Sequence, residues 1–328
     1  MRRIRRSHWG WGGLIVAAML VCAARFSIGT SALGLPEDVG WVVAELRMNR
    51  LLVAGVAGAA LGIAGVALQA LLRNPLAEPF ILGLSTGAGA GIVAQRLLVA
   101  SLGFSVWSAY PGSLAGAGAT MLIVYLASRR RGGIDPLGLL LTGVVLSTIN
   151  GALIMLAVHL RPGLLRVEVS EWMMGYLDAG TELSWRWALA AAATLSGLIW
   201  MVWRSQSIDV AVLSEPEAVA LGINVDGLRR ELFVVSSVLA SAAVVLAGPV
   251  AFVGLICPHL SRLIFGSRHR SLVVASAMLG GTLVVCADLV GALCALIFGV
   301  GVVPLGIFTA FVGGLSFLWM LRRHGGRP

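Results

Sequence analysis

Cys257, Pro258 and His259 stand consecutively in the chain, and a thiolate beside an imidazole is a ligand pair that suits zinc, copper or haem iron. No second cluster at metal spacing supports it. Cys22, Cys286 and Cys294 are scattered through apolar stretches without a CxxC, and His159 and His269 have no partner at ligand intervals. The cysteines therefore read as small core residues, and neither a metal nor any cofactor is expected. An HExxH zinc site is absent, and no Ser/Asp pair converges within an apolar run, so an intramembrane enzyme has no support and no catalytic residue is assigned. All 24 basic residues are arginine. Without lysine, this polypeptide can form neither a Schiff base nor the GK[ST] phosphate grip of a P-loop ATPase. An ion-coupled secondary transporter, the alternative class, would need paired acids or histidines inside its spans, and Asp288 is the clearest candidate. An acid at the bilayer centre costs about 2.5 to 3.5 kcal/mol. Counted from Ser271, however, Asp288 is residue 18 of its span. It is therefore expected at the outer interface, where no proton-relay role is required.

The elements that hold these residues follow from composition. The chain has 328 residues, 58% apolar and only 12% charged, with a mean hydropathy of +0.93, whereas soluble domains are about half apolar and a quarter charged. Its solvent is lipid. The net charge of +9 is carried by short arginine clusters between apolar runs, which points away from nucleic acid and toward the positive-inside rule. Arg2, Arg3, Arg5 and Arg6 before an apolar run could pass for a signal peptide, but without a convincing cleavage site an uncleaved first helix is expected.

A membrane helix needs about 20 apolar residues. Runs of that kind occupy roughly 10–28, 51–72, 80–100, 110–127, 137–158 and 185–203. The stretch 232–265 is too long for one crossing and is interrupted by Gly248-Pro249, so it is split in two, and runs at 271–290 and 304–321 complete ten spans. The fold class is thus an all-α polytopic bundle, a single transmembrane domain over 1–328. With both termini cytoplasmic, 17 arginines fall inside and seven (Arg25, Arg47, Arg50, Arg96, Arg161, Arg166, Arg186) outside. Glycine rows, Gly55/Gly58/Gly62/Gly65 and Gly83/Gly87/Gly91, imply close backbone packing. No internal repeat is visible.

Four segments do not fit simple spans. Arg73-Asn74-Pro75-Leu76-Ala77-Glu78-Pro79 is a rigid non-helical link at the membrane boundary, suited to a gate. In the inner loop, about 206–230, Ser214 is a plausible N-cap, Glu215 and Glu217 face the helix dipole, Pro216 fits the first turn and Gly222 closes a two-turn helix. A helix that short is unstable alone in water, so a partner is expected to receive it. The third segment is Gly248 to Arg262. The fourth, Leu160 to Ser184, is long enough for a small amphipathic helix at the outer interface.

These segments resemble the FecCD family of ABC importer permeases over about Arg47 to Leu321. The resemblance rests on Gly65-Val66-Ala67-Leu68-Gln69-Ala70-Leu71-Leu72-Arg73-Asn74-Pro75-Leu76-Ala77-Glu78-Pro79, Leu82 to Ala88, Ala247 to Leu255, Pro258 to Arg262 and Pro304-Leu305-Gly306-Ile307. It implies a permease for ferric siderophore, haem or cobalamin in the bacterial inner membrane. It also implies a homodimer, two ATP-binding-cassette subunits and a periplasmic or lipoprotein substrate-binding protein. By the same resemblance, Leu213, Ser214, Glu215, Glu217, Leu221 and Gly222 belong to the ATPase-coupling helix, Asn74 and Leu76 to a cytoplasmic constriction, and Arg47 and Arg50 to the docking edge for the binding protein. Two departures stand out: Asn49 replaces the proline of the family's Arg-x-Pro-Arg, and Ala292 stands where an arginine often follows Asp288. Glu171-Trp172-Met173-Met174-Gly175 looks most like cobalamin permeases, although iron-chelate permeases carry a similar Trp-x-x-Gly, so it alone selects no cargo.

Overall fold

A computed structural model describes the chain except residues 1, 30–33, 35–39, 103–109, 131–132, 178–184, 300, 302 and 325–328, and it omits the side chains of residues 2–9, 110, 166–168, 213, 319–321 and 323–324. The described residues form α1 (Arg2–Ser27), α2 (Gly40–Leu72), a 3-10 turn (Pro79–Leu82), α3 (Leu84–Leu102), α4 (Tyr110–Ala127), α5 (Pro136–Leu160), α6 (Pro162–Met173), α7 (Trp185–Trp203), α8 (Ser205–Leu213), α9 (Glu215–Ala220), α10 (Val225–Ala247), α11 (Val253–Phe265), α12 (His269–Phe298) and α13 (Leu305–His324). A two-residue antiparallel bridge, Arg129–Arg130 with Gly133–Ile134, turns α4 into α5. Each expected span is a helix, and α6 is the amphipathic helix expected outside.

Boundaries differ in an instructive way. α2 begins at Gly40 rather than near Leu51, so Arg47 and Arg50 lie within it, and α12 continues to Phe298. Charged residues did not end these helices because their charges are met inside the bundle. α11 has 13 residues, about 20 Å of helix, which cannot cross a hydrocarbon core of about 30 Å. Among the described residues, six helices are long and apolar enough to span by themselves: α1, α2, α5, α7, α10 and α12. The segment after Gly248-Pro249 thus runs from one end of the bundle to the other partly as non-helical backbone and partly as a half-helix, rather than as one span-length helix.

α2 is the central element, with Ala57, Ile63, Ala64, Val66, Ala67 and Leu68 fully buried, as expected of a helix apolar on all sides. It packs on α10, α11 and α12. A Cβ at Gly58 would strike the backbone of Gly280, at Gly62 that of Ser276, and at Gly65 that of Gly254. The row therefore sets how near α11 and α12 approach. In the second row, Gly87 and Gly91 meet Gly112 and Gly116 of α4, whereas Gly83 sits at φ 81° and closes the 3-10 turn. That glycine serves backbone conformation rather than helix contact.

Candidate functional site: two ends of the bundle

At one end, the Arg73–Pro79 link meets the short helices α8 and α9. Arg73 ends α2 at φ 48°, a conformation usually left to glycine, while Asn74 N–H closes the turn on Gln69 O at 3.1 Å. The Asn74 side chain accepts from Leu76 N–H at 3.0 Å. Asn74 and Leu76 are both half-buried, so the two expected constriction residues share one tight turn. The Arg73 guanidinium donates to Ala211 O at 2.8 Å and lies 3.5 Å from Glu215. Glu215 in turn binds Arg229 of α10 at 2.8 Å. The link, the short helix and the start of α10 therefore share one carboxylate.

The short helix is built as its sequence indicates. Ser214 Oγ accepts from Glu217 N–H at 3.4 Å, and Gly222 at φ 78° lies one position past the C-cap Leu221. Gly222 N–H and Ile223 N–H donate to Val219 O and Ala218 O, both at 2.9 Å, a Schellman closure. Ala218 is fully buried, while Val219 and Leu221 are 60% and 69% exposed. The Leu213 side chain lies outside those described. α8 is tied to the body of the bundle, since Asp209 accepts from His269 N–H at 2.9 Å and pairs with its ring Nδ1 at 2.6 Å.

Three residues with no role in the sequence reading join the link to the half-helix. Pro258 lacks an N–H, which would have bonded Gly254 O. Gln69 Nε2 fills that place, reaching Gly254 O and Ala77 O, each at 3.3 Å. The Glu78 carboxylate accepts from Phe252 N–H at the start of α11, where Phe252 holds a left-handed φ of 68°. Burial pushes the Glu78 carboxyl up to about 7, partly opposed by the Phe252 hydrogen bond. Cys257 is buried in the same half-helix, and among the described residues no group of three His, Cys, Asp or Glu side chains could hold a metal.

The other end lies about 35 Å away, taking the 23 residues from Arg50 to Arg73 along α2. Here Asp288 pairs with Arg25 at 2.5 Å and Arg50 at 2.8 Å, and its side chain is 3% exposed. Arg25 also donates to Ile28 O and Arg47 to Phe26 O, at 2.8 and 2.7 Å. This corrects the interfacial reading of Asp288: two guanidiniums, not solvent, compensate its charge. Arg47 and Arg50 themselves are 8% and 7% exposed, so neither presents an open docking charge. Sequence motifs also converge here. Leu305 N–H and Gly306 N–H, at the start of α13, donate to Gly175 O and Met174 O at 2.9 and 3.0 Å. An added Cβ at Gly175 would overlap Pro249 O, at 2.6 Å. The Glu171–Gly175, Gly248–Pro249 and Pro304–Gly306 segments thus form one backbone junction.

The sequence profile of the FecCD transport family matches residues 13–323. The vitamin B12 import system permease protein BtuC of Vibrio cholerae serotype O1 is 38% identical over 290 residues, 88% of this chain and 84% of that protein. The cobalamin import system permease protein BtuC of Halobacterium salinarum is 35% identical over 88% of this chain and 75% of its own. Among solved structures, an inward-facing metal-chelate type ABC transporter superposes with a TM-score of 0.81 at 27% identity, covering 96% of this chain and 99% of its own. With the profile spanning nearly its whole length, the chain belongs to the FecCD transport family.

Proposed function

We propose that this chain is the permease subunit of an ATP-binding-cassette importer, and that its cargo is cobalamin rather than an iron chelate. The observation that carries the mechanism is the Arg73–Glu215–Arg229 network. It joins an exposed two-turn helix to the link bearing Asn74 and Leu76. A push on α9 from an ATPase cleft then reaches the constriction through one carboxylate. The absence of lysine requires that the ATPase be another chain. Val219 and Leu221, apolar and exposed beyond the spans, suit such a partner.

The whole chain acts as one permease domain, paired as a homodimer around the path, with both termini on the side of α9 and the 17-arginine face. Arg47 and Arg50, being buried, contribute to docking a substrate-binding protein indirectly, by bracing the outer ends of α1, α2 and α12. The preference for cobalamin rests on the BtuC relatives together with Glu171–Gly175.

The test is reconstitution with the cognate ATPase and binding protein. Cobalamin should stimulate ATP hydrolysis more than ferric siderophore or haem, and the reverse order would refute the cargo assignment. Glu215→Arg should abolish uptake and ATPase binding while the permease still inserts; retained uptake would refute the coupling route.

A further inference from the structure

The Arg73–Pro79 link does not stay at the inner end of the bundle. Gly65, which meets the backbone of Gly254, lies eight residues before Arg73 on α2, about 12 Å deeper. The link doubles back to that depth, because the Pro79 ring packs on Gly254, where an added Cβ would sit 2.8 Å from Pro79 Cδ. It carries with it the Glu78 carboxylate, 8% exposed. An ionisable group so far inside a membrane protein is costly, and its retention points to a role. Among the described residues it meets no cation, only the Phe252 N–H at the free N-terminus of α11.

Phe252 receives that grip and passes it on. Its carbonyl accepts from Leu255 N–H at 3.2 Å and Ile256 N–H at 2.9 Å, so the residue held by Glu78 is also the one on which α11 starts. An aromatic residue keeps a left-handed φ only where its surroundings impose it. Here they include α13: a Cβ at Gly313 would overlap Cβ and Cγ of Phe252, and Phe317, one turn on, packs with Phe252 against Leu255 and Ile256. α13 is fixed at its outer end by the Leu305 and Gly306 hydrogen bonds, about 12 Å along the helix from Gly313. It is therefore held at one end and pressed partway along by a strained residue, while Phe311, Val312 and Leu315 beside the contact are exposed.

We propose that Glu78 is a positioning residue for transport, gripping the start of α11 so that movement of the link is carried through Phe252 into α13. The inference rests on the coupling route through Arg73, Glu215 and Arg229, and extends it past the constriction. Four residues separate Arg73 from Glu78, and Pro75 and Pro79 restrict the backbone between and beside them, so a displacement at Arg73 is passed on rather than absorbed. The grip is a hydrogen bond from a backbone N–H. A neutral acceptor of the same shape can make it, whereas a side chain without an acceptor cannot.

Cys257, buried in the second turn of α11, reports the grip. In a full-length chain whose other three cysteines are alanine, N-ethylmaleimide should label Cys257 slowly. Glu78→Ala should speed that labelling at least tenfold, and Glu78→Gln, whose amide oxygen accepts the same N–H, should leave it within twofold. In the complex reconstituted with its cognate ATPase and binding protein, cobalamin imported per ATP hydrolysed should follow the same order, falling at least tenfold in Glu78→Ala and recovering in Glu78→Gln. Phe252→Ala keeps the N–H but removes the ring from Gly313, and should lower that yield as far although the carboxylate remains; it decides the matter if Glu78→Ala does not insert. Unchanged labelling in Glu78→Ala, failure of Glu78→Gln to rescue, or wild-type yield in Phe252→Ala would each overturn the proposal. A wild type that imports no cobalamin would refute the importer reading instead, and the order of labelling would still decide whether Glu78 holds α11.

Discussion

Each end of the bundle carries a carboxylate shared by two arginines, and their closest contacts compare well: Arg50–Asp288 and Arg229–Glu215 both measure 2.8 Å. Their surroundings do not compare. The Asp288 side chain is 3% exposed and that of Glu215 44%. A buried ion pair cannot lose one partner without leaving a desolvated charge, so its partners are locked to one another. An exposed pair contributes about 0 to 1 kcal/mol and exchanges its partners with water at little cost. The same chemistry thus makes a fixed clamp at one pole and a movable contact at the other. The movable one lies on the exposed short helix α9.

The largest effect is expected from breaking the clamp. Asp288→Asn leaves Arg25 and Arg50 buried against a neutral amide and should cost about 3 to 5 kcal/mol, read as a large fall in thermal midpoint and in inserted yield. A midpoint near wild type would show that water already reaches this site.

Glu78 sharpens the contrast, because it is buried where the link from the movable pole enters the bundle. Its folded value of about 7 lies above the ordinary 4.5, so the folded chain binds more protons between those values. Stability should therefore rise as pH falls through that window and level off above it, by up to about 3 kcal/mol. Glu78→Gln should flatten the dependence between pH 5 and 7.5, and an unchanged slope would assign it to another group.

Smaller still is Gln69→Leu, which strands the Gly254 carbonyl beside Pro258 and the Ala77 carbonyl. It should cost about 1 to 3 kcal/mol, with hydrogen exchange quickening in α11 before the rest of the bundle. Uniform exchange would mean that α11 does not depend on this bridge. The smallest effect on stability, under about 1 kcal/mol, is expected for Glu215→Gln, measured by thermal denaturation. If Arg73 and Arg229 lose a midpoint comparable to that of Asp288→Asn, the two poles are alike and the contrast fails.

Much of the helical framework was legible because its signals are local. Apolar runs gave the ten helical segments, and Ser214, Pro216 and Gly222 delimited α9 through capping chemistry within a few residues. Gly248-Pro249 marked a break, although only the packed structure shortened the following segment to a half-helix. The Asn74–Leu76 turn and the short helix α9 were singled out in advance, but the pairings of Arg229, Gln69 and Glu78 were not. Their partners lie 14, 185 and 174 residues away, and no period or cap encodes such distances.

Composition alone determined that the chain lives in lipid and that it carries no P-loop, because these conclusions depend on which residues exist rather than on where they meet. Tertiary structure decided the fate of the charges. Arg25 and Asp288 are 263 residues apart. Whether an acid near a membrane boundary faces water or two guanidiniums depends on which helices pack together. That packing follows from close glycine contacts such as Gly58 with Gly280, and it places the paired side chains only once the whole bundle has formed.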